Sequence, residues 1–239
     1  AFKAGAAVLN RPGENTNFSP LSLYLALALA APGAAGETQA ELLTLLGAED
    51  AEALADQCAR LYRLLYTDNG VGKLFIANSL WMDDEVRGSA VQFREGYLNT
   101  AARDFYAELF TVDFAGEAAS QAMGRWVADH TGGILSPVFP TDPEQVLSIL
   151  NTVYFYDEWI NAFPASATQS GVFHADKGDV NADYMNRSNQ GSFARGNGFI
   201  RASLGLKTQG QMVFVLPDEG VALSDLMASG QTLRDVVTG

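Results

Sequence analysis

The sequence is poor in the side chains that carry out chemistry. It has a single cysteine, Cys58, so no internal disulfide can form and the fold must hold by packing. Cys58 falls on an apolar helical stripe with no His or Lys near it in sequence to activate it, and it reads as a core residue rather than a reactive thiol. There are two histidines, His130 and His174. No G-x-S-x-G segment is present either, so a hydrolytic triad is not expected. One cysteine and two distant histidines do not make a zinc set. His130 follows Trp126 by four positions, which is a packing neighbour on a helix, and His174 stands in a strand beside Phe173. No apolar segment reaches membrane-spanning length, so no transmembrane helix is expected. Basic residues are also few, 15 against 28 acidic ones, for a net charge of −13. That balance disfavours nucleic acid and anionic membrane surfaces, whose phosphates would be repelled.

A hydrophobic content of 48% over 239 residues is enough to bury a sizeable core, as one large domain or two small ones with no linker, repeat or low-complexity segment, and a soluble globular protein is expected. Several short motifs carry little. Asp83-Asp84-Glu85 lacks the ligand alternation and central glycine of a calcium loop and reads as a solvated turn. Around Gly70-Val71-Gly72-Lys73, Thr67 and Leu74 occupy the places where a phosphate loop needs glycine and a hydroxyl. Gly196-Asn197-Gly198 is a turn. Asn186-Arg187-Ser188 fits a glycosylation sequon, which has meaning only in a eukaryotic secretory host. No signal peptide precedes Ala1, and a start as abrupt as AFKAGAAVLN says little about secretion. No cofactor or metal is expected.

In chain order, Ala1 to Asn10 reads as the tail of a helix and Arg11-Pro12-Gly13-Glu14 as a turn. Ser19-Pro20 gives an N-cap with proline at the first helical position, predicting a helix from Pro20 to about Ala31 despite the strand-like alternation from Leu21 to Leu29. Thr38 and Glu41 form a capping box, Leu42, Leu45 and Leu46 an apolar stripe, and Gly47 a stop. After Asp50, Leu54, Cys58, Leu61 and Leu65 share one helical face. Lys73 to Trp81 reads as a strand, and Ser89 with Gln92 as a capping box opening a helix with Phe93, Tyr97, Ala101 and Phe105 inward. Ala107 to Phe114 is a strand, and Glu117 to Thr131 a helix ended by Gly132-Gly133. Short strands follow at about Ser170–His174 and Asn181–Asn186, a hairpin joins Phe199–Lys207 to Gln211–Leu216, and a short helix covers Leu223–Ser229.

The longest continuous signal is Gln145 to Phe163, QVLSILNTVYFYDEWINAF. Val146 to Tyr156 is apolar, β-branched and aromatic, and reads as a central strand covered on both faces. Counting by twos places Asn151 with Leu147, Ile149, Val153 and Phe155, so an amide stands in an apolar wall, where leaving it unpaired costs about 1–3 kcal/mol. Another segment must supply partners. Asn15 to Ser22, NTNFSPLS, offers two hydroxyls, Ser19 and Ser22, at a helix start. Helices early and strands late, without βαβ alternation, indicate an α+β fold.

These segments resemble the serpins. NFSPLSLYLALALAAPGAAGETQAELLTLLG is similar to that family's N-x-x-F-S-P-x-S pattern and the helices that follow it, matched here by Asn15, Phe18, Ser19, Pro20, Ser22 and, in the G-x-T segment, Thr38. Asn151, Trp159 and Phe163 match an N-x(7)-W-x(3)-F motif, and VFVLPDEG, with Pro217, is close to the family's LPDEG turn. The resemblance implies a serpin-like α+β fold of three β-sheets and about eight or nine helices, incomplete in this chain. The part up to about residue 144 would be mainly helical, and about 145–239 would hold the central and later strands. It further implies that Ser19, Ser22 and Asn151 belong to the shutter, where the main sheet parts, and that Trp159 lies near the breach, where insertion begins. Ser19 reads equally well as a helix cap alone.

The function so implied is inhibition of a serine protease, or of a cysteine protease. The protease attacks a reactive loop as substrate, the cleaved loop inserts beside the central strand, and stored strain is released, with no catalytic residue from the inhibitor. The alternative is a non-inhibitory serpin acting as carrier, chaperone or storage protein. The resemblance favours an extracellular or secreted setting. It also places the reactive loop, its hinge and the closing strands beyond Gly239, so a companion chain or a longer native protein is expected, because the long apolar strand would otherwise present an open edge. Asp157 stands where the family usually has glycine, and Thr16 and Asn17 are more polar than its pattern.

Overall fold

The computed structural model describes residues 1–11, 13–175, 177–188 and 193–238; Pro12 of the expected first turn and Gly239 lie outside them. Along the chain the elements are α1 (Phe2–Leu9), α2 (Pro20–Ala30), α3 (Gly36–Leu46), α4 (Ala51–Leu65), β1 (Thr67–Asp68), β2 (Lys73–Met82), β3 (Glu85–Val86), β4 (Ser89–Ala90), α5 (Glu95–Asp104), β5 (Ala107–Thr111) and α6 (Glu117–His130). They continue as β6 (Leu147–Tyr156), β7 (Gln169–Ala175), β8 (Gly178–Tyr184), β9 (Phe193–Arg195), β10 (Phe199–Gly205), β11 (Gln211–Pro217), α7 (Leu223–Leu226) and α8 (Gly230–Thr238). The fold is α+β. Two compact units form, one from Leu21–Tyr156 and one from Ala1–Pro20 with Asp157–Gly239. No helix among the described residues is long and apolar enough to cross a membrane.

In the first unit β2 is the axis. Antiparallel β6 runs along its whole length, while β5, parallel, and the short β1 share its other edge. Side chains alternate across β2, so Ile76, Leu80 and Met82 meet Leu25, Ala28 and Leu29 of α2, Leu54 and Cys58 of α4, and Tyr97, Ala101 and Phe105 from α5 and its end. On the opposite face Trp81 packs with Phe110, Phe114, Met123 and Trp126, the last two from α6. The Trp81 and Phe110 rings stack with centroids 4.2 Å apart.

Local chemistry explains several boundaries. The Asp50 side chain accepts from the Ala53 amide at 2.7 Å and so caps α4, whose buried stripe is Leu54, Ala55, Cys58 and Ala59. Burial pushes the Cys58 thiol up to about 12, as befits a core residue. Gly47, at φ +70°, ends α3 in the left-handed conformation open to glycine, and the Ala48 amide returns to the Leu43 carbonyl at 3.0 Å.

Four expectations are corrected. Thr38 lies inside α3, which starts at Gly36 after Ala35, so the Thr38–Glu41 capping box does not form. Ser89 opens no helix: Arg87 and Gly88 take positive φ values of 52° and 72° and turn the chain into the small β3–β4 hairpin, and α5 begins at Glu95. Asp83 is not solvated but buried, because its carboxyl accepts from the amides of Glu85 at 3.0 Å and Phe114 at 3.1 Å. Finally, β6 is less covered than a strand buried on both faces. Among the described residues β6 pairs only with β2, Thr152 is its one buried residue, and Phe155 and Tyr156 are exposed.

In the second unit β9, β10 and β11 make an antiparallel sheet, and β7 and β8 a separate hairpin. Helix α1 lies against α8, where Gly230 leaves room for the Lys3 backbone and Gly5 for Leu233 and Phe18. Phe199, Leu226 and Val236 form a small core with Val215 and Val221.

Candidate functional site

The register of β2 and β6 sets Asn78 directly opposite Asn151. Each interrupts an apolar row, Asn78 that of Leu74, Ile76, Leu80 and Met82, and Asn151 that of Leu147 and Ile149. The two amides satisfy one another. Asn151 Nδ2 donates to Asn78 Oδ1 at 2.7 Å, and Asn78 Nδ2 donates to the Phe105 carbonyl at 2.7 Å. From above, the Ser22 hydroxyl of α2 donates to Asn151 Oδ1 and lies 3.3 Å from the Asn151 carbonyl oxygen. A one-way chain thus runs from Ser22 through Asn151 and Asn78 to Phe105, tying α2, β6, β2 and the residue at the end of α5. Turning Asn78 over would set NH₂ against NH₂, and turning Asn151 over would set oxygen against oxygen, so the chain fixes both orientations.

Such a chain behaves as a seam. Asn78 is 2% exposed, so its polar atoms have no recourse to water, and parting β2 from β6 breaks the Asn–Asn bond together with the ladder. Of the residues expected to gather here, the structure brings Ser22 and Asn151 together. Asn78 was missed, although the rule that singled out Asn151 applies equally to LFIANSLW.

The remaining expected residues are placed as follows. Ser19, half-buried, precedes α2, which opens at Pro20; Asn15 and Thr38 are exposed, and Phe18 is half-buried beside Gly5. Trp159 forms a bridge with Leu206. Its ring meets Phe163 edge-on at 5.8 Å and lies 6.4 Å from Phe214, while Arg187 sits 4.7 Å over the Phe163 ring. Pro217 ends β11 opposite Phe199.

The residues weighed for other chemistry are accounted for by packing. His130 stacks on Trp126 at 4.3 Å, its Nδ1 is 2.8 Å from the Trp126 carbonyl and its Nε2 is 3.1 Å from Glu108 Oε1. His174 pairs with Asp179 on an exposed hairpin. Asn186 is exposed, its amide donating to the carbonyls of Ala167 and Tyr184. Among the described residues no group of three or more His, Cys, Asp or Glu side chains is placed to hold a metal ion.

Comparison with known proteins agrees with this geometry. The family model Serpin (serine protease inhibitor) matches residues 3–235. The chain belongs to the serpin family. It is 35% identical over 197 residues to putative serpin-Z5 of Oryza sativa subsp. japonica, covering 78% of this chain and 42% of that protein. It is 29% identical over 238 residues to serpin-ZX of Arabidopsis thaliana, covering 92% of this chain and 59% of that protein. This serpin chain therefore spans about four- to six-tenths of the length of these curated relatives. Among solved structures, Arabidopsis AtSerpin1 in its native stressed conformation matches with a TM-score of 0.83 at 26% identity, over 100% of this chain and 62% of that one. Thyroxine-binding globulin in complex with thyroxine matches with a TM-score of 0.83 at 24% identity, over 98% of this chain and 65% of that one, a likeness of fold.

Proposed function

We propose that the protein inhibits serine proteases as a suicide substrate: a reactive loop is cleaved and inserts as a strand beside β6. Membership of the serpin family supports this reading. The observation that carries it is the combination at β6, which among the described residues pairs with β2 alone, while a polar chain of Ser22, Asn151 and Asn78 fastens the two strands together. A strand edge left open is a template for an added strand, and the polar chain holds β6 to β2 in one register while a strand is added on its other side. Ser19, Ser22 and Asn151 are then shutter residues and Trp159 a breach residue, and the chain contributes no catalytic group. The relatives are longer than this chain, so the inhibitor is taken to be the full-length protein. Its partner is a serine protease, with cysteine proteases the second class.

A second reading, a non-inhibitory carrier, has one observation in its favour: a cavity of about 440 Å³ between β10 and α8, with Phe199, Leu226 and Val236 among its lining residues. The test is incubation of the full-length protein with a panel of serine proteases. A complex that survives denaturing electrophoresis supports inhibition. Cleavage by every protease without any trapped complex overturns it in favour of the carrier.

A further inference from the structure

We propose that Asp157 is a positioning residue that latches the segment carrying Trp159 to the turn between β10 and β11 through its carboxylate. The segment and the turn already share backbone bonds: the Lys207 amide donates to the Glu158 carbonyl at 2.8 Å, and the Ile160 amide to the Gly205 carbonyl at 3.1 Å. Beyond them the turn residues 208 and 209 project two amides that the short bridge between Trp159 and Leu206 does not reach. Asp157 takes both. Its Oδ1 lies 3.2 Å and its Oδ2 3.1 Å from the Thr208 amide, and Oδ2 accepts from the Gln209 amide at 3.1 Å. The amide of Glu158 donates to Oδ1 at 2.8 Å, so three backbone amides converge on one side chain. Amides converging in this way make a concave anion site, and here the anion is supplied by the chain itself.

Two features separate this from an ordinary turn contact. Thr208 and Gln209 lie 51 and 52 residues from Asp157 in sequence, so the carboxylate joins two distant segments rather than capping its own. Glycine, which the serpin resemblance gives as usual at this position, has no side chain to make such a link. Among the described residues the charged neighbours on the two joined segments are Glu158 and Lys207, which pair with each other at 2.6 Å. Partial loss of solvation pushes the Asp157 carboxyl up, and the amides of Gln209, Glu158 and Thr208, with the Thr208 hydroxyl, pull it down, for a net position below its ordinary value. The latch is therefore fully present above the unfolded carboxyl value of about 3.9 and is lost as pH falls through the lower folded one. The backbone bonds at Lys207 and Ile160 do not titrate, so release is confined to the tip of the turn. The inference holds whichever target or ligand the protein has.

Amide hydrogen exchange on the full chain tests it, each rate referred to the intrinsic rate at the same pH. As pH is lowered from about 6 to the point where the β10–β11 ladder itself begins to open, the Thr208 and Gln209 amides should lose about tenfold in protection, the scale of a charge-assisted bond, before the ladder amides lose theirs. In Asp157→Asn the two amides should be poorly protected across that range, and Asp157→Glu should restore part of the pH response. The proposal is overturned if wild-type protection does not change with pH, if the ladder amides share the loss, or if Asp157→Asn keeps wild-type protection at about pH 6. Should Asp157→Asn fail to fold, the wild-type pH series decides alone.

Discussion

Replacing Asn78 by alanine strikes the middle of the polar seam. The Phe105 carbonyl loses the donor that reaches it at 2.7 Å, and Asn151 Nδ2 loses its acceptor at 2.7 Å. Phe105 is 1% exposed, so its carbonyl is stranded away from water at a cost of about 1–3 kcal/mol; the Asn151 amide is only partly buried, and its loss adds about 0.5–1.5 kcal/mol. The sum, about 1.5–4.5 kcal/mol, is a large share of the stability of a typical domain. Urea unfolding followed by tryptophan emission reads it, since Trp81 and Trp126 report on the unit that holds Asn78. Asn151→Ala removes the same bond from the other side, so in a double-mutant cycle the pair should couple by about 0.5–3 kcal/mol. Stability of Asn78→Ala within about 0.5 kcal/mol of wild type, or strict additivity in the cycle, would show that the amides do not act as one chain.

Three other perturbations have definite signs. Gly124→Ala on α6 would normally gain about 1 kcal/mol of helix propensity, but a Cβ there would stand 2.6 Å from the Pro137 carbonyl oxygen and displace the segment that Ser120 Oγ holds at Phe139. Overpacking of about 1–3 kcal/mol should win, and a variant more stable than wild type in urea refutes that account. Asp83→Asn keeps one acceptor oxygen and turns an NH₂ toward the amide of Phe114 or of Glu85, so a loss of about 1.5–3 kcal/mol is expected in thermal unfolding. The Cys58 thiol, held up to about 12, should react with a disulfide reagent only after denaturation. Because its folded value is raised, its contribution to stability is complete below the unfolded value of about 8.5 and falls as pH climbs from there toward 12; Cys58→Ala should remove the slope between about 8.5 and about 10, above which the buried Tyr97, also held up to about 12, adds a fall of its own.

What could be read in advance follows a physical division. Side-chain patterns report faces and ends. Asp50 before α4, Pro20 at the start of α2, Gly132 and Gly133 after α6 and the β10–β11 hairpin were all legible, because each signal is local to the element it sets. The errors arose where the decisive contact is distant. The apolar content of β6 says nothing of how deeply its faces are covered: Thr152 is its one buried residue, whereas most of β2 is buried. Asp83 has the composition of a solvated turn, and the Phe114 amide that buries it comes from 31 residues away. Ser89 and Gln92 satisfy a capping pattern, but the positive φ of Arg87 and Gly88 commits the chain to a hairpin first. At the site, the polar break in an apolar row identified Asn151 and, by the same token, could have identified Asn78; the Ser22 hydroxyl was legible as one of two at a helix start, though nothing local to it singles it out over Ser19. Helix α8 went unrecognised because GQTLRDVVT carries only Leu233 and Val236 as buried positions.

The most direct test of the account follows the β6 amides of the full-length protein by hydrogen exchange before and after cleavage by a protease it traps. Alternate amides from Leu147 to Tyr156, those turned away from β2, should exchange more slowly once the cleaved loop is in place beside them than they do before cleavage. Unchanged exchange along β6 after cleavage would contradict the claim that this strand edge is where the sheet admits another.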